Sequence, residues 1–139
     1  MAGYSGTLLA KKLGIKPGSR LCVVNAPDNY AELLAPLPDN VALMRVVSAR
    51  TDIVQVFATS RATLADELRR CFAELRADAS IWVSWPKKVA KVATDITEDV
   101  IRAEALPLGL VDIKVCAVDA VWSGLKLVIR KENRPSRSR

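Results

Sequence analysis

The most distinctive chemistry in this 139-residue chain is the phrase Trp85-Pro86-Lys87-Lys88, with Lys91 three positions on. An aromatic face, a rigid turn and three ammonium groups could together hold an anionic or nucleotide-like ligand. Open α/β sheets bind ligands beyond the carboxyl ends of their strands, and an apolar run over 80–85 stops at this phrase. The run over 20–24 stops similarly at Asn25-Ala26-Pro27-Asp28, so Asn25 and Tyr30 join Trp85, Lys87, Lys88 and Lys91 as candidate ligand contacts. The competing reading is structural: alternation puts Trp85 on the face of Ile81 and Val83, as a core residue followed by solvated lysines. A second cluster, Asp95, Glu98 and Asp99, has the composition of an acid/base or metal pair, but acids gather at helix starts through capping and the helix dipole.

The chain contains no histidine, which excludes Ser-His-Asp and Cys-His catalysis, His-ligated zinc and an imidazole switch. Cys22, Cys71 and Cys116 are widely spaced inside apolar segments, the pattern of small buried hydrophobes in a reducing compartment. No catalytic residue, metal or cofactor is expected. No run of about 18 apolar residues occurs, and Met1–Gly6 lacks the signature of a signal peptide, so a soluble, cytoplasmic protein without membrane contact is expected. The net charge is +6, but Arg130, Lys131, Arg134, Arg137 and Arg139 against Glu132 place +4 of it in the last ten residues. Such a tail, with no aromatic side chains to stack on bases, reads as a solubilising end, and nucleic-acid binding through it is the weakest of the readings.

These residues need a scaffold. Half of the chain is apolar, enough for one domain over 1–130, with 131–139 as a basic tail. Ser5 and Gly14 bracket a short helix, 20–25 reads as a strand buried on both faces, and Tyr30–Leu34 as a helix stopped by Pro36 and Pro38. Runs 41–47 and 52–58 are strand-like, but four residues cannot link full-length parallel neighbours, so one is antiparallel or the first is short. Leu64, Leu68, Cys71, Phe72 and Leu75 make 60–75 the strongest amphipathic helix. Another helix is expected to begin near Asp95, capped by it with Glu98 three residues on, and to end at Pro107-Leu108-Gly109. Alternation over 111–117 and 125–129 predicts a hairpin of half-buried strands at one sheet edge, with Asp119–Gly124 as its loop and Trp122 there as a potential contact.

The segment Leu75-Arg76-Ala77-Asp78-Ala79, the run Ile81-Trp82-Val83, a helix, Gly109 and a terminal hairpin resemble the back half of a class I methyltransferase domain. Leu13-Gly14-Ile15-Lys16-Pro17-Gly18-Ser19-Arg20 is similar to the lead-in to that fold's first strand. Gly3-Tyr4-Ser5-Gly6-Thr7, Asn25-Ala26-Pro27, Trp85-Pro86-Lys87-Lys88 and Trp122-Ser123-Gly124-Leu125-Lys126 also resemble an uncharacterised bacterial family, which implies a family identity and no activity. The methyltransferase resemblance implies S-adenosylmethionine (SAM), yet the loop Val24–Tyr30 has no glycine, and Val47-Ser48-Ala49 stand where an acid would hold a ribose. The expectation is therefore a three-layer α/β, Rossmann-like mixed sheet, mostly parallel with an antiparallel C-terminal hairpin. Its expected role is non-catalytic binding or regulation, by homodimerisation or a protein partner. The alternatives are a small enzyme or ligand-binding protein using Trp85–Lys91, and weak nucleic-acid binding by the tail.

Overall fold

The computed structural model describes residues 8–130; the predicted cap at Ser5 and the tail 131–139 lie outside them. A six-stranded sheet in the order β2-β1-β3-β4-β6-β5 forms the middle layer. Its strands are β1 (Arg20–Val24), β2 (Ala42–Met44), β3 (Ile53–Phe57), β4 (Ser80–Pro86), β5 (Leu110–Ala117) and β6 (Trp122–Ile129). The first four run parallel, while β6 is antiparallel to both β4 and β5. Helices α3 (Arg61–Glu74) and α4 (Glu98–Ala105) cover one face, and the five-residue helices α1 (Leu9–Leu13) and α2 (Tyr30–Leu34) the other.

Strands buried on both faces explain the unbroken apolar runs. In β3 every residue is buried, Val54 and Val56 toward α3 and Ile53 and Phe57 toward α1 and α2. In β4, Ile81, Val83 and Trp85 join the α3 side, while Trp82 packs on the α1 side and donates from Nε1 to the Leu13 carbonyl at 3.0 Å. In β1 only Leu21 and Cys22 are fully enclosed; Val23 and Val24, near its carboxyl end, are half-buried.

The linker between β2 and β3 has a simple geometric solution. Both strands are parallel to β1 and lie on either side of it, and β2 is only three residues long. Met44 is level with Cys22, and Ile53 with Leu21, so residues 45–52 cross β1 sideways by two strand spacings, about 10 Å, with no return along a long strand. The Ser48–Thr51 turn compacts this crossing: Thr51 Oγ1 accepts from the Ser48 amide at 3.0 Å, and the Thr51 amide donates to the Ser48 carbonyl at 3.1 Å.

Two expectations need correction. Asp95 does not cap α4; Thr97 does, accepting from the Val100 amide at 3.2 Å. Trp122, Ser123 and Gly124 are not loop residues but open β6, where Gly124 pairs with both Ser84 and Cys116. A Cβ at Gly124 would stand 3.3 Å from the Trp82 ring, so glycine there makes room for an indole. The loop shrinks to 118–121, held by Asp119 Oδ1 accepting from the Val121 and Trp122 amides, each at 2.8 Å.

Candidate functional site

The carboxyl ends of β1, β3 and β4 are where an open α/β sheet binds its ligand, at the point where the order reverses on either side of β1. Asn25 leaves β1 with φ 58°, a left-handed conformation that asparagine tolerates better than most residues. Its Nδ2 donates across the crevice to the Phe57 carbonyl at 3.4 Å, so side chain and backbone close the gap between β1 and β3. Pro27 has no N–H to offer, and its carbonyl accepts from the Tyr30 amide at 3.0 Å, starting α2.

Tyr30 turns inward. Its hydroxyl donates to Gln55 Oε1 at 2.5 Å, and Gln55 Nε2 donates to Ser84 Oγ at 3.1 Å, a buried chain joining α2, β3 and β4. Its ring meets Phe57 edge-on at 5.5 Å, and Phe57 meets Trp122 the same way at 5.0 Å, so Trp122 is half-buried against an aromatic stack. Burial, and to a smaller extent Cys22, push the Tyr30 hydroxyl well above its ordinary range. This tyrosine is a structural hydrogen-bond donor.

Trp85 is only 8% exposed and belongs to the α3-side core, on the opposite face of the sheet from Tyr30, so the two rings do not flank one ligand. Lys87 is half-buried, and its amide donates to the Val121 carbonyl at 2.7 Å. Lys88 opens a short 3₁₀ turn, Lys91 closes it at φ 56°, and both are exposed. Of the six predicted contacts, Asn25, Lys88 and Lys91 therefore reach solvent at this end, Lys87 does so partly, and Tyr30 and Trp85 belong to the interior.

Two features at this end escaped the sequence reading. Thr94 Oγ1 donates to the Thr59 carbonyl at 2.6 Å, and Asp95 Oδ1 accepts from the Arg61 amide at 2.6 Å, so residues 94 and 95 strap down the start of α3. Ser60 caps the same helix through the Thr63 amide at 3.2 Å. Beside Asn25, the crossing segment and α3 enclose a cavity of about 500 Å³, lined by Val24, Val47, Arg45, Glu67 and Arg70 among others. Arg70 pairs with Glu67. Arg45 has no ion pair among the described residues, and its one sequence signal was to interrupt the apolar run 41–47.

The cysteines show no reactive environment. Burial pushes the Cys71 thiol up to about 12, aided by the charge of Glu67, and raises Cys22 and Cys116 as well. Among the described residues, no group of three or more His, Cys, Asp or Glu side chains is placed to hold a metal ion. No helix among them is long and apolar enough to cross a membrane.

No family model matches this chain. No curated protein matches it either. Solved structures do. A SAM-dependent methyltransferase from Aquifex aeolicus superposes with a TM-score of 0.57 at 14% identity, over 87% of both chains. A methyltransferase from Pyrococcus furiosus gives 0.59 at 13% identity, over 88% of this chain and 80% of its own. TrmN from Thermus thermophilus gives 0.58 at 11% identity, over 87% of this chain, which spans only 47% of TrmN. At these identities the likeness is one of fold: a Rossmann-like, methyltransferase-like mixed sheet, mostly parallel, with antiparallel C-terminal strands.

Proposed function

We propose that this chain is a non-catalytic binding module built on the methyltransferase fold. The observation that carries the reading is the turn after β1, where Asn25 hydrogen-bonds across to Phe57 at 3.4 Å and Pro27 takes the place of a backbone donor. A nucleotide-type cofactor needs close backbone approach and free N–H groups there, and a glycine-free turn followed by a five-residue helix fits that need poorly. SAM is accordingly not proposed as its ligand. Titration of the protein with SAM and S-adenosylhomocysteine, followed by calorimetry, should give no saturable heat; micromolar binding of either would overturn the reading.

The proposed partner is a second copy of the chain or another protein, met at the hairpin, where Ile113 and Val115 of the edge strand β5 are 56% and 53% exposed. A bulge between Asp112 and Lys114 and the lysine itself work against backbone pairing along that edge, so the contact falls to these side chains. A cytoplasmic, bacterial setting belongs to the same proposal, supported by the unpaired thiols and by the resemblance carried by Asn25-Ala26-Pro27 and Trp85-Pro86-Lys87-Lys88. A second reading, a small anionic ligand at the carboxyl ends, is favoured by Arg45 beside the Asn25 cavity. Thermal stabilisation by a phosphorylated metabolite that disappears in Arg45→Met would replace the first reading with the second.

A further inference from the structure

The amino ends of the parallel strands carry a second concavity. Lys16–Ser19 before β1, Asp52 before β3, Arg76 and Asp78 before β4, and Lys126 and Val128 of β6 line a groove of about 410 Å³. Its two acids are both engaged by one guanidinium, Arg76, which meets Asp52 at 2.8 Å and Asp78 at 2.9 Å. Its lysines are not so partnered: neither Lys16 nor Lys126 has an ion pair among the described residues. Lys114 of β5 is the direct cross-strand neighbour of Lys126, and it too lacks an acid among them.

Like charges placed directly opposite on a sheet repel, and such a pair lowers stability unless something else holds it. Burial lowers the Lys126 ammonium below its ordinary range, and the charges of Lys114 and Lys16 lower it further, so the three feel one another. An edge lysine also discourages sheet-to-sheet pairing. That role accounts for Lys114 alone, because Lys126 is on an interior strand and Lys16 lies before β1.

We propose that Lys16, Lys114 and Lys126 form a phosphate-binding site, taking either a free polyphosphate or the phosphodiester backbone of a nucleic acid. Lys16 and Lys126 line the groove and Lys114 stands beside it as the cross-strand neighbour of Lys126; compact ammonium groups so placed suit a tetrahedral oxyanion, whose charge relieves the repulsion among them. The site lies at the opposite end of the sheet from the Asn25 turn and does not depend on the reading given to that turn.

The test titrates the full chain with inorganic tripolyphosphate and, separately, with a short oligothymidylate. Lys16→Met, Lys126→Met and, as a control on the far side of α3, Arg69→Met are compared with the unmodified protein. At least one probe is expected to bind and to lose roughly tenfold in affinity in each lysine variant, with Arg69→Met unaffected. Without ligand, Lys126→Met should melt no lower than the parent, because it removes a repulsion; a purely structural lysine would show the reverse. Tripolyphosphate binding identifies a free-phosphate site, and oligonucleotide binding alone a backbone site. Failure of both probes to bind, or affinities unchanged by Lys16→Met and Lys126→Met, overturns the proposal.

Discussion

The Tyr30–Gln55–Ser84 chain shows how a single buried polar group fixes neighbouring elements. Gln55 is fully buried in the middle of β3, and both ends of its amide are used, one by Tyr30 and one by Ser84. Tyr30→Phe keeps the ring but leaves Gln55 Oε1 with no proton to accept, which should cost about 1–3 kcal/mol in urea unfolding. A loss below about 0.5 kcal/mol would show that the 2.5 Å contact contributes little. The glutamine was visible in the sequence as one polar residue inside Ile-Val-Gln-Val-Phe. Its partners were not, since they lie 25 and 29 positions away on separate elements, and Tyr30 read alone looked like a residue free to meet a ligand.

At the level of elements, local signals were legible and long-range ones were not. Ser60 caps α3 and Gly14 ends α1 in the left-handed region at φ 85°, as their residue types dictate. Asp95 with Glu98 had the spacing of a capping box, but the carboxylate instead serves the Arg61 amide, 34 positions earlier. Asp95→Ala should therefore lower stability by about 0.5–2 kcal/mol and speed hydrogen exchange in the first turn of α3, leaving α4 protected. Faster exchange confined to α4 would restore the local reading. The hairpin teaches a related lesson. Alternation located β5, yet a bulge at Asp112–Lys114 and a position at the edge of the sheet leave Ile113 and Val115 exposed.

For the whole molecule, the burial of its ionisable groups sets an alkaline limit. Cys71 has an unfolded reference of 9.0 and a folded value pushed up to about 12 by burial and Glu67. The native state thus holds a proton that the unfolded chain releases first. That contribution is fully present below 9.0 and is lost as pH rises through about 12, at up to about 1.4 kcal/mol per pH unit for one group. Cys22 and Tyr30 are raised in the same sense, while Lys126, lowered by burial, acts oppositely. Melting temperature should fall as pH rises above about 9, and Cys71→Ala should flatten the fall; an unchanged slope would remove Cys71 as a cause. The sheet's class was readable from run lengths and caps, but its order was not. The four-residue link 48–51 between the two strand-like runs admitted either an antiparallel strand or a truncated one, and the level of Met44 with Cys22 is a fact of three dimensions.

That sideways crossing has an evolutionary consequence. Doubly wound sheets of order 3-2-1-4-5-6 carry a further strand outside the second, and here the chain goes straight from β2 to the far side of β1. The edge beyond β2 ends in exposed Leu43 and Val46, and the Ser48–Thr51 turn closes through its own local hydrogen bonds. A helix–strand unit grafted between Arg45 and Arg50 would extend the sheet outward while leaving the pairing of β1, β3 and β4 untouched. The turn is thus a point of growth, at which a lineage can lengthen or trim the sheet without refolding what it already has.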